Sequence, residues 1–314
     1  MSKILLVGST NEQKFKLINK FKTIKFRSYK EEQQINCDAV ITFNRKDANN
    51  FLKKFHAQND YDWLHLSGAG IDDYIKFYSK KLKKFKKITN EKNIQGPQVA
   101  DHCFALLLSL TRKLHYLAKY GLEAEFNKRP IELMGKRCLI IGFGGIGKIL
   151  AKRSYAFGMK TDIVSNTFHP ISTDIENFYL FENLLIPLKK ADIIFIACPS
   201  TKLTRNLFNK KILKKTKKGC YLINVTRGDI VNLDDLISLL QIQHFGGVAL
   251  DSTNPEPLKK NHKIFNFQEV IITPHTAGIS ENLFKRNFKL IESNIDRYKK
   301  KLTLINQINL HAEY

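Results

Sequence analysis

Three side chains in the second half of the chain, Arg227, Glu256 and His275, are of types that together suit one reaction. An arginine can bind a carboxylate through parallel hydrogen bonds and polarise a carbonyl, and a histidine can protonate the carbonyl oxygen. A glutamate beside the histidine favours the imidazolium form and keeps the acid protonated. The set is therefore suited to the reduction of a 2-keto acid.

Each of these residues also fits an ordinary structural role when it is taken alone. Arg227 fits a surface loop, and Glu256, between two prolines, fits a solvated position. His275, after a proline, fits a hydrogen-bonded turn. However, each follows an apolar run that predicts a strand, and the carboxyl ends of parallel strands meet at one edge of a sheet. Their joint placement favours the catalytic interpretation.

The element that must position this chemistry is a strand, glycine turn and helix in the middle of the chain. The apolar run Cys138–Ile141 predicts the strand, and residues 148–157 predict the helix. Between them the glycines follow the G-x-G-x-x-G pattern that binds dinucleotides. Gly142 permits the tight turn, Gly144 lets backbone amides approach a pyrophosphate, and Gly147 lets the helix lie close to the sheet. A plain tight turn is the alternative.

Alternating strands and helices predict two doubly wound parallel-sheet α/β domains. The larger is a Rossmann dinucleotide-binding domain, residues 97–279. The smaller, flavodoxin-like domain comprises residues 1–96 and 280–314, because a last helix over 280–300 is expected to cross back to it. The predicted strands are Lys3–Val7, Ile24–Phe26, Ala39–Phe43, Trp63–Leu66, Cys138–Ile141, Thr161–Val164, Asp192–Ala197, Tyr221–Val225, Val248–Leu250 and Val270–Thr273.

Two further segments are informative. Residues 98–120 predict one long helix with a buried apolar stripe that continues to Leu114 and Leu117. A glycine loop, Ser67–Asp72, directly follows the strand that ends at Leu66. Its small residues leave backbone N–H groups uncovered, which suits the binding of a carboxylate. An ordinary strand-to-helix turn is equally compatible with that loop.

Composition limits the class of protein. A length of 314 residues allows two cores, since one core rarely grows past roughly 250 residues. The formal net charge of +23 comes mostly from dispersed lysines. We interpret them as solvated surface charges that also help to attract anions to the protein. The charge pattern argues against nucleic acid as a partner, because the lysine runs 80–87 and 210–218 lie beside apolar residues at amphipathic spacing.

The five cysteines are odd in number, scattered and mostly in apolar surroundings, which predicts free thiols and no metal site. The N-terminal apolar run, Ile4–Val7, is too short for a signal peptide, and no stretch approaches the roughly 18 residues that span a bilayer. The sequence thus predicts a cytoplasmic protein without a membrane association.

Over nearly its whole length the chain resembles the D-isomer-specific 2-hydroxyacid dehydrogenase family. Within that family it most resembles the glyoxylate/hydroxypyruvate reductases. Order and spacing of the motifs agree with the family, although Asp101 stands where a glutamate is usual. The matching segments are Ser67–Asp72, Val99–His102, Gly142–Gly147, Asn224–Gly228, Asp251–Pro257 and Thr273–Gly278.

The resemblance implies roles for individual residues. Arg227 would bind and polarise the substrate, and His275, paired with Glu256, would be the proton donor. Backbone amides around Gly68, Ala69 and Gly70 would receive the substrate carboxylate. Asp251 would hold the nicotinamide carboxamide. The implied cofactor contacts are Gly142, Gly144, Gly145, Ile146, Gly147, Ser165, Asn166, Cys198, Pro199, Val225, Thr226, Asp251 and Gly278. Family members are usually dimers joined through the cofactor domain, so a homodimer is expected.

The residue after the predicted strand Thr161–Val164 bears on the cofactor. NAD-preferring relatives carry an acidic residue there for the ribose hydroxyls, whereas this chain has Ser165. A 2′-phosphate is then not repelled, although no arginine follows to bind it, and NADP is slightly favoured over NAD. The resulting hypothesis is an NAD(P)H-dependent reductase of glyoxylate or hydroxypyruvate. Alternatives are a D-lactate or phosphoglycerate-type dehydrogenase and a non-enzymatic NAD(P)-sensing binding module.

Overall fold

The computed structural model of the protein describes residues 2–29, 36–56, 60–121, 129–170 and 172–310. These residues fall into two compact units. The first unit comprises residues 1–94 together with 281–314, and the second comprises residues 95–280.

The first unit is a five-stranded parallel sheet in the order β2-β1-β3-β4-β5, the strand order of flavodoxin-like folds. Its elements are β1 Lys3–Val7, α1 Asn11–Lys20, β2 Lys25–Ser28, β3 Ala39–Thr42, α2 Arg45–Lys54, β4 Tyr61–Leu66, α3 Asp72–Leu82, β5 Phe85–Asn90 and α10 Leu283–Lys299.

Helices cover both faces of this sheet because its strands alternate between two cores. Leu5 and Val7 of β1 lie in one hydrophobic cluster, and Ile4 and Leu6 lie in the other, as the two-residue period of a strand requires. The second cluster also contains Ile291 of α10. The last helix therefore packs in the first unit.

The second unit is a seven-stranded parallel sheet in the order β12-β11-β10-β9-β6-β7-β8. Counted along this unit, its first six strands have the Rossmann order 3-2-1-4-5-6. Its elements are α4 Gly96–Thr111, α5 Leu114–Tyr120, β6 Arg137–Ile141, α6 Gly145–Ala156, β7 Lys160–Ser165, β8 Asn177–Leu180, α7 Leu185–Leu188, β9 Ile193–Ile196, α8 Lys210–Leu213, β10 Tyr221–Asn224, α9 Leu233–Gln241, β11 Gly247–Leu250 and β12 Val270–Ile272. Both sheets confirm the predicted fold class.

The single long helix predicted for residues 98–120 is wrong. Two helices, α4 and α5, occupy this range, and Lys113 between them has a left-handed φ of 60° that ends the helical path. The predicted buried stripe ends with α4, since Leu114 is 51% exposed. Apolar spacing continues across the break because periodicity records which face is apolar and carries no information about where the backbone turns.

Two strands were not predicted. β5 lies within a lysine-rich run, but its last three residues, Ile88, Thr89 and Asn90, are buried. β8 is an edge strand with no fully buried residue, so its pattern carries little signal. The helix after the glycine turn also begins earlier than predicted, at Gly145.

All five cysteines are free thiols, as predicted. Cys103, Cys138, Cys198 and Cys220 are buried, and burial raises the pKa of Cys198 to about 12. In the described part of the chain, no cluster of three or more potential metal ligands occurs. None of the helices described here combines the length and the apolar character that crossing a membrane requires.

Candidate active site

The glycine turn between β6 and α6 has the geometry of a backbone cradle. Gly142 has a φ of 101°, and a Cβ on it would lie 2.7 Å from the Ala197 carbonyl oxygen. A Cβ on Gly147 would lie 2.1 Å from the Gly142 carbonyl oxygen. Gly144 is the reverse case, because a Cβ there would meet no atom within 4 Å. The turn is thus tightly packed on the protein side and open on the other.

This cradle fits the pyrophosphate of a dinucleotide. It precedes α6, a twelve-residue helix whose N-cap, Gly144, makes no side-chain capping bond. The first helical residues, Gly145 and Ile146, follow directly, and helix N-termini attract phosphate groups. β6 and β9 are neighbours at the point where the strand order reverses, which is where open α/β sheets bind ligands. Cys198 and Pro199 follow β9 at this point.

The end of β7 offers a different environment. Ser165 is its last residue and is buried, whereas the following Asn166 is exposed. Beyond them, the rings of Phe143 and His169 lie 5.1 Å apart, and His169 lies 5.9 Å from Phe178. Residues 165–170 include no carboxylate. The group that reads the ribose hydroxyls in NAD-preferring folds is therefore missing from this segment.

His275 and Glu256 form a direct pair. His275 Nδ1 lies 2.7 Å from Glu256 Oε1, and the two side chains are 47% and 41% exposed. Ser252 Oγ lies 3.4 Å from the same ring nitrogen. With Nδ1 engaged by the carboxylate, Nε2 is the nitrogen that can meet a substrate.

A buried carboxylate fixes the backbone that carries His275. The Asp251 side chain is 0% exposed and accepts hydrogen bonds from the amides of Thr276 and Ala277 and from the Thr273 hydroxyl. Burial alone would raise the pKa of Asp251, but hydrogen bonds from His102, Thr273 and these amides outweigh it and lower the pKa to about 2. His275 itself has a left-handed φ of 55°. The carboxylate therefore holds a backbone conformation that is uncommon for residues other than glycine.

Sequence reasoning assigned His102 no role, although it lies in a motif that carried the resemblance. His102 projects from α4, and its Nε2 lies 2.9 Å from Thr273 Oγ1 and 3.5 Å from Asp251 Oδ1. It thus completes the polar cluster beneath the His275 turn. The available signal was a histidine in the second turn of a mostly apolar helix. The predicted contact of Asp251 with a carboxamide stays a prediction.

The Arg227 loop is held beside this turn. Buried Asn224 donates to the Arg227 carbonyl at 2.8 Å, and Arg227 Nη1 donates to the Thr226 carbonyl at 2.9 Å. Ser252 Oγ donates to the same Thr226 carbonyl at 3.3 Å and also contacts His275. Because β10, β11 and β12 are adjacent, the segments that follow them lie side by side.

The loop predicted to bind a carboxylate lies in the first unit. Gly68 has a φ of 96°, which favours glycine, and a Cβ on it would lie 3.1 Å from Arg45 Nη1. Under the loop, buried Glu91 accepts hydrogen bonds from Ser67 Oγ at 2.9 Å and from Asn287 Nδ2 at 2.5 Å. Burial raises the pKa of Glu91. Ala69 and Gly70 remain partly exposed.

Most of the predicted residues of the second unit lie at two places, and Gly278 lies at a third. Arg227, Glu256 and His275 lie on adjacent segments of the second unit with Thr226, Val225 and Asp251. The glycine turn and Cys198 meet at the strand-order reversal. Gly278 accepts a hydrogen bond from Gln98 Nε2 at 2.9 Å, which joins the end of the His275 segment to α4.

The chain is similar to proteins of one known family. Residues 104–277 match the family model described as D-isomer specific 2-hydroxyacid dehydrogenase, NAD binding domain. The chain is 33% identical over 255 residues to D-3-phosphoglycerate dehydrogenase of Bacillus subtilis, a match that covers 78% of this chain and 47% of that protein. It is 33% identical over 218 residues to glyoxylate reductase of Thermofilum pendens, which covers 66% and 63% respectively.

A solved structure shares the fold over the whole chain. The D-isomer specific 2-hydroxyacid dehydrogenase of Xanthobacter autotrophicus, in complex with NADPH and MES, superposes with a TM-score of 0.82 at 20% identity and covers 100% of this chain and 99% of that one. The chain spans about half to two thirds of the length of the two curated relatives above. Since the family model covers more than half of the chain, the resemblance is confirmed: the chain belongs to the D-isomer specific 2-hydroxyacid dehydrogenase family of NAD(P)-dependent oxidoreductases.

Proposed function

We propose that the protein reduces the carbonyl group of a small 2-keto acid, with glyoxylate or hydroxypyruvate as the favoured substrate. The observation that carries the proposal is the 2.7 Å pair of His275 and Glu256 beside the Arg227 loop. An acid, its carboxylate partner and a guanidinium on adjacent strand ends provide the groups that this reaction requires. The similarity to a glyoxylate reductase supports the choice of substrate.

The chemistry assigns a separate task to each side chain. A bound nicotinamide would supply the hydride. Arg227 would bind the substrate and polarise its carbonyl. His275 would donate the proton from Nε2 to the oxygen, while Glu256 stabilises the protonated ring through Nδ1. Once the proton has left, the neutral ring keeps its orientation because the Nδ1 hydrogen bond to Glu256 remains.

We assign the cofactor to the second unit and the substrate carboxylate to the first. The glycine cradle and the N-terminus of α6 suit the pyrophosphate. In the first unit, the amides of Ala69 and Gly70 would receive the carboxylate. Ser165 in place of an acid supports NADPH over NADH, and the Xanthobacter relative was solved with NADPH.

A homodimer and a cytoplasmic location are part of the proposal. Met134, Tyr155 and Phe157 of the second unit are 76%, 57% and 41% exposed. Exposed apolar side chains of this size suit a protein interface. The free thiols fit a reducing compartment.

One panel tests the reaction. NADH and NADPH would each be combined with glyoxylate, hydroxypyruvate, pyruvate and a phosphorylated keto acid, and the loss of reduced cofactor would be followed by absorbance. We expect turnover with glyoxylate or hydroxypyruvate and faster turnover with NADPH. Preference for pyruvate or the phosphorylated acid would favour the D-lactate or phosphoglycerate-type alternatives, and no turnover at all would favour a binding module.

The role of His275 has its own test. His275→Ala should lower kcat by about 10²- to 10⁴-fold, the usual contribution of a general acid, and leave the Kd for NADPH unchanged. His262→Ala is the matched control, because His262 follows the neighbouring strand β11 and caps a short 3-10 helix instead of pairing with Glu256. Normal turnover in His275→Ala would contradict the proposed mechanism.

A further inference from the structure

Four consecutive carbonyl groups in the first unit, those of residues 67–70, each accept a hydrogen bond from within the unit. The donors come from three separate segments, α2, α3 and the end of β5. They are Tyr74 Oη to Ser67 at 3.1 Å, the Glu91 amide to Gly68 at 3.3 Å, Asn90 Nδ2 to Ala69 at 2.7 Å and Arg45 Nη1 to Gly70 at 3.1 Å. Such complete engagement fixes the orientation of every peptide plane in the loop.

A fixed carbonyl also fixes an amide. In a planar trans peptide the C=O of one residue and the N–H of the next point in opposite directions. The bond from Asn90 to the Ala69 carbonyl therefore directs the Gly70 N–H away from Asn90. In the same way, the Glu91 amide sets the direction of the Ala69 N–H. These are the two N–H groups to which we assign the substrate carboxylate.

Asn90 is itself rigidly placed. It is 2% exposed, it ends β5, and it is the register partner of Leu66, the residue before the loop. Its Oδ1 accepts from the Lys92 amide at 3.1 Å, so both ends of the side-chain amide are engaged. The side chain therefore cannot turn away from Ala69 without breaking a second hydrogen bond.

We infer that Asn90 is a positioning residue for the substrate carboxylate, because it holds the Ala69–Gly70 peptide in the orientation that presents the Gly70 N–H. This inference rests on the proposed function. Asn90 acts through the loop and does not contact the substrate itself. Glycine neighbours make the constraint necessary, because peptides flanked by glycine rotate more freely than others.

The chain contains a matched control in the same unit. Asn294 is 0% exposed, and it donates to the Ile305 carbonyl at 3.1 Å and accepts from the Ile305 amide at 2.7 Å. It thus has the burial and the bonding of Asn90 but belongs to the contact between α10 and the C-terminal segment. Asn294→Ala should cost comparable stability and leave the loop intact.

The test measures binding of oxamate, a carboxylate analogue of the keto acid, to the full-length protein with NADPH by calorimetry. Asn90→Ala should weaken oxamate binding and raise the KM for glyoxylate by about tenfold each, which corresponds to roughly one hydrogen bond. The Kd for NADPH should change less than twofold, and kcat should fall less than KM rises. Asn90→Asp, which conserves volume, should fold and weaken oxamate binding further through its added charge.

The outcomes separate this inference from the proposed reaction. Unchanged oxamate binding in Asn90→Ala, or an equal loss in Asn294→Ala, would overturn the inference, and so would a wild type that binds no oxamate. If Asn90→Ala does not fold, oxamate binding by Asn90→Asp that equals the wild type would overturn it too. A wild type that binds oxamate without reducing any keto acid would contradict the reaction alone, and the Asn90 comparison would still decide the inference.

Discussion

The turn between β6 and α6 and the loop of residues 67–70 both join a parallel strand to a helix through glycines, yet they are held by different means. In the turn, Gly142 and Gly147 pack directly against backbone atoms. In the loop, the carbonyls are held by donors that include the side chains of Arg45, Tyr74 and Asn90. The first arrangement depends on the absence of side chains, and the second depends on their presence.

The difference determines what a substitution does. Adding one methyl group to the turn pushes two backbone segments apart, and backbone cannot move aside as a side chain can. Removing a donor from the loop frees one peptide and leaves the rest in place. We therefore expect large, global effects at the turn and smaller, separable effects at the loop.

The largest effect is expected for Gly147→Ala. Helix propensity alone would favour alanine by about 1 kcal/mol. The clash at 2.1 Å with the Gly142 carbonyl oxygen should outweigh this gain, and we expect a loss of about 3 kcal/mol or more in the free energy of unfolding. Denaturant unfolding measures it. Gly144→Ala is the control, because it meets no atom within 4 Å and should keep the fold while it weakens NADPH binding.

Equal free energies of unfolding for Gly147→Ala and Gly144→Ala would contradict the proposed difference between the turn and the loop. They would mean that backbone contact does not hold the turn.

An intermediate effect is expected for the His275 segment, which a buried carboxylate holds. The pKa of Asp251 is about 2 in the folded protein, below its ordinary 3.8, so its charge contributes stability above pH 3.8 that is lost as the pH falls toward 2. The shift corresponds to roughly 2 kcal/mol. Urea titrations of the wild type and Asp251→Asn measure the difference in their unfolding free energies. This difference should be at its maximum at pH 6 and decrease below pH 4. A difference that stays constant with pH would show that the charge is not what holds the segment.

The smallest effect is expected for Tyr74→Phe. This change removes the hydroxyl that donates to the Ser67 carbonyl at 3.1 Å and should cost about 1 kcal/mol in unfolding free energy. The Ser67 carbonyl shares its peptide with the Gly68 N–H, and we assign the carboxylate to the N–H groups of Ala69 and Gly70. The KM for the keto acid should therefore stay within twofold of the wild type. A rise in KM as large as that in Asn90→Ala would show that the loop moves as one body.

The same two regions show how far the sequence could predict the site. The glycine turn was predictable because a short stretch contains its strand, its glycines and its helix, and the required backbone shapes admit few other residues. Arg227, Glu256 and His275 could be named because each follows an apolar run of its own. The donors around the loop could not be named, because Asn90 is 21 residues from Ala69 and Arg45 is 25 residues from Gly70.

His102 illustrates the same limit in the second unit. It is 171 residues from Thr273, and only the packing of α4 beside β12 brings them together. The break at Lys113 was also beyond the sequence pattern, because lysine has no preference for the left-handed conformation that it adopts there.

By itself, the sequence determined the two parallel sheets, the glycine turn and the types of side chain that end the strands. Local periodicity and the steric demands of glycine act between near neighbours, so they are written in consecutive residues. The tertiary structure alone decided which donors hold the loop and which groups surround Asp251. Those contacts join segments far apart in the chain, and their partners are set by strand order and register, which no short stretch of sequence contains.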